Sequence, residues 1–214
     1  MANKNITLVE VEKAVQVIMD TAFENEDYFS ELDGLAGDGD FGNSLATGFQ
    51  VIREQWDTLP RTNINAFLMK VAMLTTSHVG GSSGPIWGTA FMRAAIYSRE
   101  KDDLNLTDIV NIFDSAIEGI MQRGGAQPGD KTLIDALIPT RNALAQVKSD
   151  APDCWKRALK TASEAATQSI EDTKNLQAKR GRQCFTGERS IGTVDPGIVA
   201  VATIMNNMNK AFTQ

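Results

Sequence analysis

Three aspartates fall within eight residues of one glycine-rich stretch, Leu32-Asp33-Gly34-Leu35-Ala36-Gly37-Asp38-Gly39-Asp40-Phe41-Gly42. Carboxylates crowded together without a counter-ion repel and raise one another's pKa values. A divalent cation resolves that repulsion. Magnesium in particular takes a few carboxylates plus water and phosphate oxygens rather than an all-protein cage. Taken alone, the stretch serves equally well as a solvated acidic loop or a set of Asx turns.

Two familiar motifs do not fit it. Gly37, Gly39 and Gly42 have G-x-G-x-x-G spacing, but Tyr28-Phe29-Ser30-Glu31 forms no apolar strand before them, and the intervening aspartates would repel a pyrophosphate. An EF-hand counted from Asp38 would place Asn43 at the required glycine and Phe49 at the closing glutamate.

Three further stretches carry chemistry. His78-Val79-Gly80-Gly81-Ser82-Ser83-Gly84-Pro85 has approachable backbone N–H groups, hydroxyl donors and a helix start, the composition of a phosphate cradle. Arg123-Gly124-Gly125-Ala126-Gln127-Pro128-Gly129-Asp130-Lys131-Thr132 ends like a Walker A motif, except that Asp130 separates the glycine from the lysine. The last contains Lys179-Arg180-Gly181-Arg182, Gly187-Glu188-Arg189 and Asp195-Pro196-Gly197. Its cations would neutralise phosphate or pair with a helix C-terminus. An acidic clamp, anion-friendly helix starts and arginines together suit phosphoryl transfer from a nucleotide, where positioning and charge neutralisation supply most of the catalysis.

The elements that must position these loops read as helices. Thr7 and Glu10 form a capping box ahead of Leu8, Val11, Val15, Ile18 and Ala22 on one face. Leu45, Phe49, Ile52 and Trp56 mark a second helix after Gly42, and Ile64, Phe67, Val71 and Leu74 a third. A fourth starts at Pro85, a fifth at Thr107, and a sixth after Asp130 that Pro139 should kink. A seventh, from near Pro152, carries Ala158, Ala162 and Ala165; the eighth opens on Asp195-Pro196. No segment alternates like a strand. Of the 17 glycines, 14 lie at 34–42, 80–84, 124–129 and 181–197, in every second connection of this series. If short links make successive helices antiparallel, all four glycine-rich loops emerge at one end.

Composition narrows the classes. With 27 acidic against 21 basic residues the formal charge is −6, which gives nucleic acid no basic footprint. One histidine, His78, excludes a multi-histidine metal site, and it reads as an ordinary polar loop residue. Two cysteines make neither a zinc site nor a disulfide scaffold, which suits a reduced, cytoplasmic setting. The start, Met1-Ala-Asn-Lys-Asn, has no apolar leader, and no run is long enough to span a membrane.

The four loops, in order, resemble the nucleotide-binding L subunit (DhaL) of dihydroxyacetone kinase. The resemblance rests on Asp33…Gly37-Asp38-Gly39-Asp40, Gly80-Gly81-Ser82-Ser83-Gly84-Pro85, Pro128-Gly129-Asp130-Lys131-Thr132 and Gly187-Glu188-Arg189-Ser190-Ile191-Gly192…Asp195-Pro196-Gly197. It implies an all-α fold over residues 1–214 as one domain: a closed barrel of eight antiparallel amphipathic helices with the nucleotide site at one rim. It implies that Asp33, Asp38 and Asp40 hold two magnesium ions against ADP or ATP. Phe41, Gly42, Asn43, Ser44, Ser82, Ser83, Gly124, Leu133, Arg182, Asp195, Pro196 and Gly197 would line the nucleotide site, with Arg182 steadying the transferring phosphoryl group. It implies partners: a K subunit that carries the ketose covalently on its own histidine, and a phosphohistidine protein of the phosphotransferase system that recharges bound ADP. It also implies assembly as a homo-oligomer or hetero-complex. An ATP-dependent form of the kinase, acting on a four-carbon ketose, and an ADP-sensing regulatory module are the alternatives. Phe41, Ser44 and Cys184-Phe185-Thr186 depart from the residues common in relatives, and none of these departures removes a carboxylate.

Overall fold

The computed structural model describes residues 5–151 and 153–213. The expectations placed on Met1 to Lys4 (a leader) and on Pro152 (the start of the seventh helix) fall outside the described residues. The described residues form nine α-helices: α1 (Leu8–Glu24), α2 (Glu26–Gly34), α3 (Phe41–Glu54), α4 (Ile64–His78), α5 (Ser83–Tyr97), α6 (Leu106–Gly124), α7 (Ile134–Ala145), α8 (Cys154–Lys174) and α9 (Pro196–Thr213). Two 3-10 segments, Trp56–Thr58 and Arg182–Ser190, join them. The eight expected helices are α1 and α3 to α9. The addition is α2, a nine-residue helix inside the link that carries the aspartates.

Local chemistry sets most of the ends. Thr7 and Glu10 close the capping box that starts α1. For α6 the cap is Asn105, not Thr107. Its side chain accepts from the Asp108 N–H at 3.0 Å, and Asp108 accepts from the Asn105 N–H at 2.9 Å. The helix therefore begins a residue before Thr107. Gly125, with φ 66°, ends α6 in the left-handed conformation that glycine adopts without a Cβ penalty. Pro139 sits inside α7, as its sequence position implies.

Consecutive long helices pack on one another, and α1 meets both α3 and α9, which closes the ring. Apolar faces converge on one core that includes Val15, Phe49, Ile52, Phe67, Val71, Ala95, Ile198 and Val201. The alanine stripe of α8 is Ala158, Ala162 and Ala166, all fully buried. Ala165, expected in the stripe, is half-buried, because a true 3.6-residue turn carries the inner face on to Ala166. Small side chains there let α7 and α9 approach α8 closely. A smaller cluster of Ile117, Ile120, Ala126 and Ile134 seals α6 against α7 beneath the third glycine-rich loop. No helix among the described residues is long and apolar enough to cross a membrane.

Candidate functional site

Contacts link the four glycine-rich loops around the ring, two of them through the first turn of the helix that follows a loop. A Cβ on Gly80 would lie 2.7 Å from Ser44 Oγ, so the second loop abuts the start of α3. A Cβ on Gly124 would lie 2.9 Å from Ile86 Cδ1, so the third loop meets the start of α5. The Lys179 N–H donates to the Asp130 carbonyl at 3.0 Å, joining the third loop to the fourth. Arg182, at the start of the second 3-10 segment, reaches Asp38 and Asp40 and returns the fourth loop to the first. The rim inferred from glycine spacing is thus a closed circuit of contacts.

Asp33 organises the acidic loop. It is the penultimate residue of α2 and is 8% exposed. Its Oδ2 accepts the N–H groups of Gly39 at 3.0 Å and Asp40 at 3.1 Å. Gly39 has φ 78°, a left-handed conformation that brings those two donors back onto one oxygen. The loop therefore folds over its own carboxylate, and the exposed Asp38 and Asp40 are brought to Asp33. One oxygen from each of Asp33, Asp38 and Asp40 lies within 4.8 Å of the others. The donor set is three hard oxygens, one on a rigid base and two facing solvent. That suits magnesium, which keeps water and ligand oxygens in its remaining positions. Arg182 Nη2 stands 3.5 Å from Asp40 Oδ2 and the other terminal nitrogen contacts Asp38.

The α2–α3 corner depends on Gly42. A Cβ there would fall 1.9 Å from the Glu26 carbonyl oxygen and 2.7 Å from Ser30 Oγ. Asn43 is anchored across the same corner, its N–H donating to Ser30 Oγ at 3.2 Å and its amide to Glu26 Oε1 at 3.0 Å. The Phe41 ring packs on Phe29, with centroids 6.1 Å apart. Ser44 faces the second loop, as the Gly80 contact requires.

Ser82 precedes α5, and its side chain makes no capping hydrogen bond, so its hydroxyl and the first N–H groups of α5 are presented at the rim. Ser83 is the first residue of that helix, and Gly124 is the last residue of α6. Leu133 and Gly197 adjoin: a Cβ on Gly197 would lie 3.5 Å from Leu133 Cβ. Asp195 caps α9, its Oδ1 accepting the Ile198 N–H at 2.9 Å, and Pro196 is the first residue of that helix. Burial pushes the Asp195 carboxyl up to about 7, against the opposing pull of the Ile198 and Gly197 N–H groups. His78 is an exposed residue ending α4, not part of the loop itself.

Two basic residues of the fourth loop have another role. Arg180 Nε is 3.4 Å and Lys179 Nζ 3.8 Å from the buried Asp130 carboxylate. They are engaged in joining loops, and of the fourth-loop cations weighed for phosphate it is Arg182 that meets the carboxylate trio. Sequence reasoning quoted Lys131 in the third loop's motif but gave it no role; it is 1% exposed and donates to three backbone carbonyls. No residue pattern announces such a group, because its acceptors are main-chain atoms.

An all-helical ring whose rim gathers three carboxylates, an arginine and the start of α5 without a side-chain cap has the parts that a nucleotide-handling protein needs. Comparison with known proteins gives the family. The DAK2 domain model matches residues 35–210. The ADP-binding subunit DhaL of the PEP-dependent dihydroxyacetone kinase of Escherichia coli (strain K12) is 36% identical over 179 residues, which is 84% of this chain and 85% of that protein. The L-erythrulose 1-kinase of Mycolicibacterium smegmatis is 31% identical over 195 residues, 89% of this chain but 33% of that protein. The crystal structure of the dihydroxyacetone kinase of C. freundii superposes with a TM-score of 0.74 at 25% identity, covering 97% of this chain and 35% of that one. The chain belongs to the DAK2-domain family and, within it, to the DhaL-type subunits of dihydroxyacetone kinase.

Proposed function

We propose that this chain is the nucleotide-binding subunit of a dihydroxyacetone kinase and passes phosphoryl from a magnesium nucleotide to a short ketose. The observation that carries the reading is the gathering of Asp33, Asp38 and Asp40 at the rim, faced by Arg182. The names of the DhaL relatives, ADP-binding subunits of PEP-dependent kinases, support it.

Asp33, Asp38 and Asp40 would hold two magnesium ions, which supply positive charge against the nucleotide phosphates. The N–H groups at the start of α5, with Ser82 and Ser83, would bind phosphate oxygens. Phe41, Gly42, Asn43 and Ser44 line one side of the site, and Gly124, Leu133, Asp195, Pro196 and Gly197 the other. Arg182 exchanges its carboxylate partners for the transferring phosphoryl group and neutralises charge there as transfer proceeds. On this reading the 214 residues work as one nucleotide-binding unit in the cytoplasm, in a complex with a K subunit. The ketose is held covalently by a histidine of that partner. The rim residues named above would hold ADP as a bound cofactor, and its chemistry there would be phosphoryl transfer after recharging by a phosphohistidine protein of the phosphotransferase system.

One experiment tests both the reaction and the donor. The purified chain is incubated with a K subunit and dihydroxyacetone, with either ATP alone or phosphoenolpyruvate and the phosphotransferase proteins. Turnover only in the second mixture, with ADP retained in native mass spectrometry, is expected. Multiple turnovers with ATP alone would favour the ATP-dependent alternative; the name of the erythrulose kinase relative bears only on its four-carbon ketose. Tight ADP binding with no ketose phosphorylation in either mixture would leave a regulatory module.

A further inference from the structure

Lys131 is an unusual residue in this fold. Its side chain is 1% exposed, and its backbone holds φ 61°, a conformation that costs any residue with a Cβ. Burial pulls its ammonium below the usual lysine range. An ammonium has three N–H donors, and here three carbonyls receive them: Lys174 at 3.1 Å, Leu176 at 3.0 Å and Ser190 at 2.6 Å. No donor is left over for a phosphate, so this is not a displaced P-loop lysine. One acceptor, Lys174, is the last residue of α8, where the helix dipole favours a cation, and Leu176 follows just beyond the Asn175 cap. The third, Ser190, ends the stretch that begins with Arg182, whose 3-10 turns are broken at Gly187 (φ 60°, ψ −130°).

The same segment is tied around that anchor. Ser190 Oγ accepts the Ala178 N–H at 2.9 Å and donates to the Gly187 carbonyl at 2.6 Å. The Gly192 N–H donates to the Lys174 carbonyl at 2.9 Å. The loop carrying Arg182 is therefore pinned at its far end to a charged group supplied by the third rim loop. Arg182 itself is exposed and, among the described residues, pairs with the carboxylates of Asp38 and Asp40. Its position depends on how firmly residues 183–190 are held.

We propose that Lys131 is a positioning residue for the nucleotide site: by tying the Ser190 carbonyl to those of Lys174 and Leu176 it holds the end of the 182–190 stretch against the end of α8, so that Arg182 faces the Asp33, Asp38 and Asp40 cluster. This rests on the role given to Arg182 above. Lys131→Met keeps the aliphatic stem and the backbone strain and removes the ammonium alone. Two measurements on the full chain test it. In hydrogen exchange, amides of 182–190 should exchange faster in Lys131→Met while those of α4 stay unchanged. In calorimetry with Mg·ADP as the probe, Lys131→Met and Arg182→Ala should each weaken binding by about tenfold, and the double variant should bind within about twofold of Arg182→Ala, since one acts through the other. Multiplying effects, or unchanged exchange at 182–190, would overturn the proposal. A native affinity in Arg182→Ala sinks the reading of Arg182 instead, and the exchange result then decides Lys131 independently. If Lys131→Met does not fold, Lys131→Gln, which keeps two N–H donors, takes its place in the same measurements.

Discussion

Arg182 Nη2 lies 3.5 Å from Asp40 Oδ2, although 142 positions separate the two residues in the chain. The contact joins the last rim loop to the first and puts a single cation among three carboxylates. A surplus of negative charge remains, so the cluster still attracts a divalent ion, but that ion must compete with the guanidinium. Replacing Arg182 by Gln removes the competitor. Without nucleotide, Arg182→Gln should bind magnesium more tightly than the native chain, by about twofold to fivefold, the range of an exposed ion pair. With ADP present the sign reverses, because the same side chain then meets phosphate. Calorimetric titrations with and without ADP read both signs. Weaker magnesium binding in the nucleotide-free variant would show that Arg182 does not compete.

Asp38 faces solvent, and among the described residues its charge is met by Arg182. Asp38→Asn should therefore weaken magnesium-dependent ADP binding by about tenfold or more, equivalent to ~1.4 kcal/mol or above. The helical circular-dichroism signal should stay native, since no core contact is lost. An unchanged affinity for Mg·ADP would remove Asp38 from the metal site.

Asp33, by contrast, has a second job. Its Oδ2 holds the Gly39 and Asp40 N–H groups at 3.0 and 3.1 Å. The distinction between the base of the loop and its tips is invisible in sequence, where the three aspartates look alike. What sequence makes plain is their closeness and the alternation of glycine-rich links, because both depend only on residue type and spacing. The short α2 stayed hidden because its nine residues bury only Phe29 and Asp33, too few for an apolar stripe. Asn105 outcompetes Thr107 as a cap through Asp108, a reciprocal pair that the hydrophobic pattern does not encode. Lys131 and the Arg180–Asp130 pair were illegible for a different reason. They depend on which loops the closed ring brings face to face, and on backbone carbonyls that every residue carries.

Gly42 shows how tightly that ring is drawn at the site. A Cβ at this position would sit 1.9 Å from the Glu26 carbonyl oxygen, a backbone atom that cannot rotate aside. Gly42→Ala must therefore push α2 away from α3. The cost should be about 1–3 kcal/mol, typical of overpacking, read as a lower midpoint in denaturant. Since Asn43 bridges to Ser30 and Glu26 across the same corner, magnesium and ADP affinity should fall as well. A variant as stable as the native chain would mean that α2 tolerates displacement.

Asp195 predicts a pH dependence of opposite sign to that of a paired carboxylate. Burial lifts its pKa from 3.8 to about 7, so between those values the folded chain holds a proton that the unfolded chain has released. Stability from this residue is complete below about pH 4 and is lost as pH rises through about 7. At 1.36 kcal/mol per unit the loss across the window is at most roughly 4 kcal/mol. Asp195→Asn cannot ionise, yet its amide oxygen can still accept the Ile198 N–H that caps α9. Unfolding free energies of the two chains, measured without nucleotide from pH 4 to 8, should diverge as pH rises, with the variant the more stable at the upper end. Parallel curves would mean that the Asp195 carboxyl is ionised throughout and that solvent at the rim reaches it more freely than its burial implies.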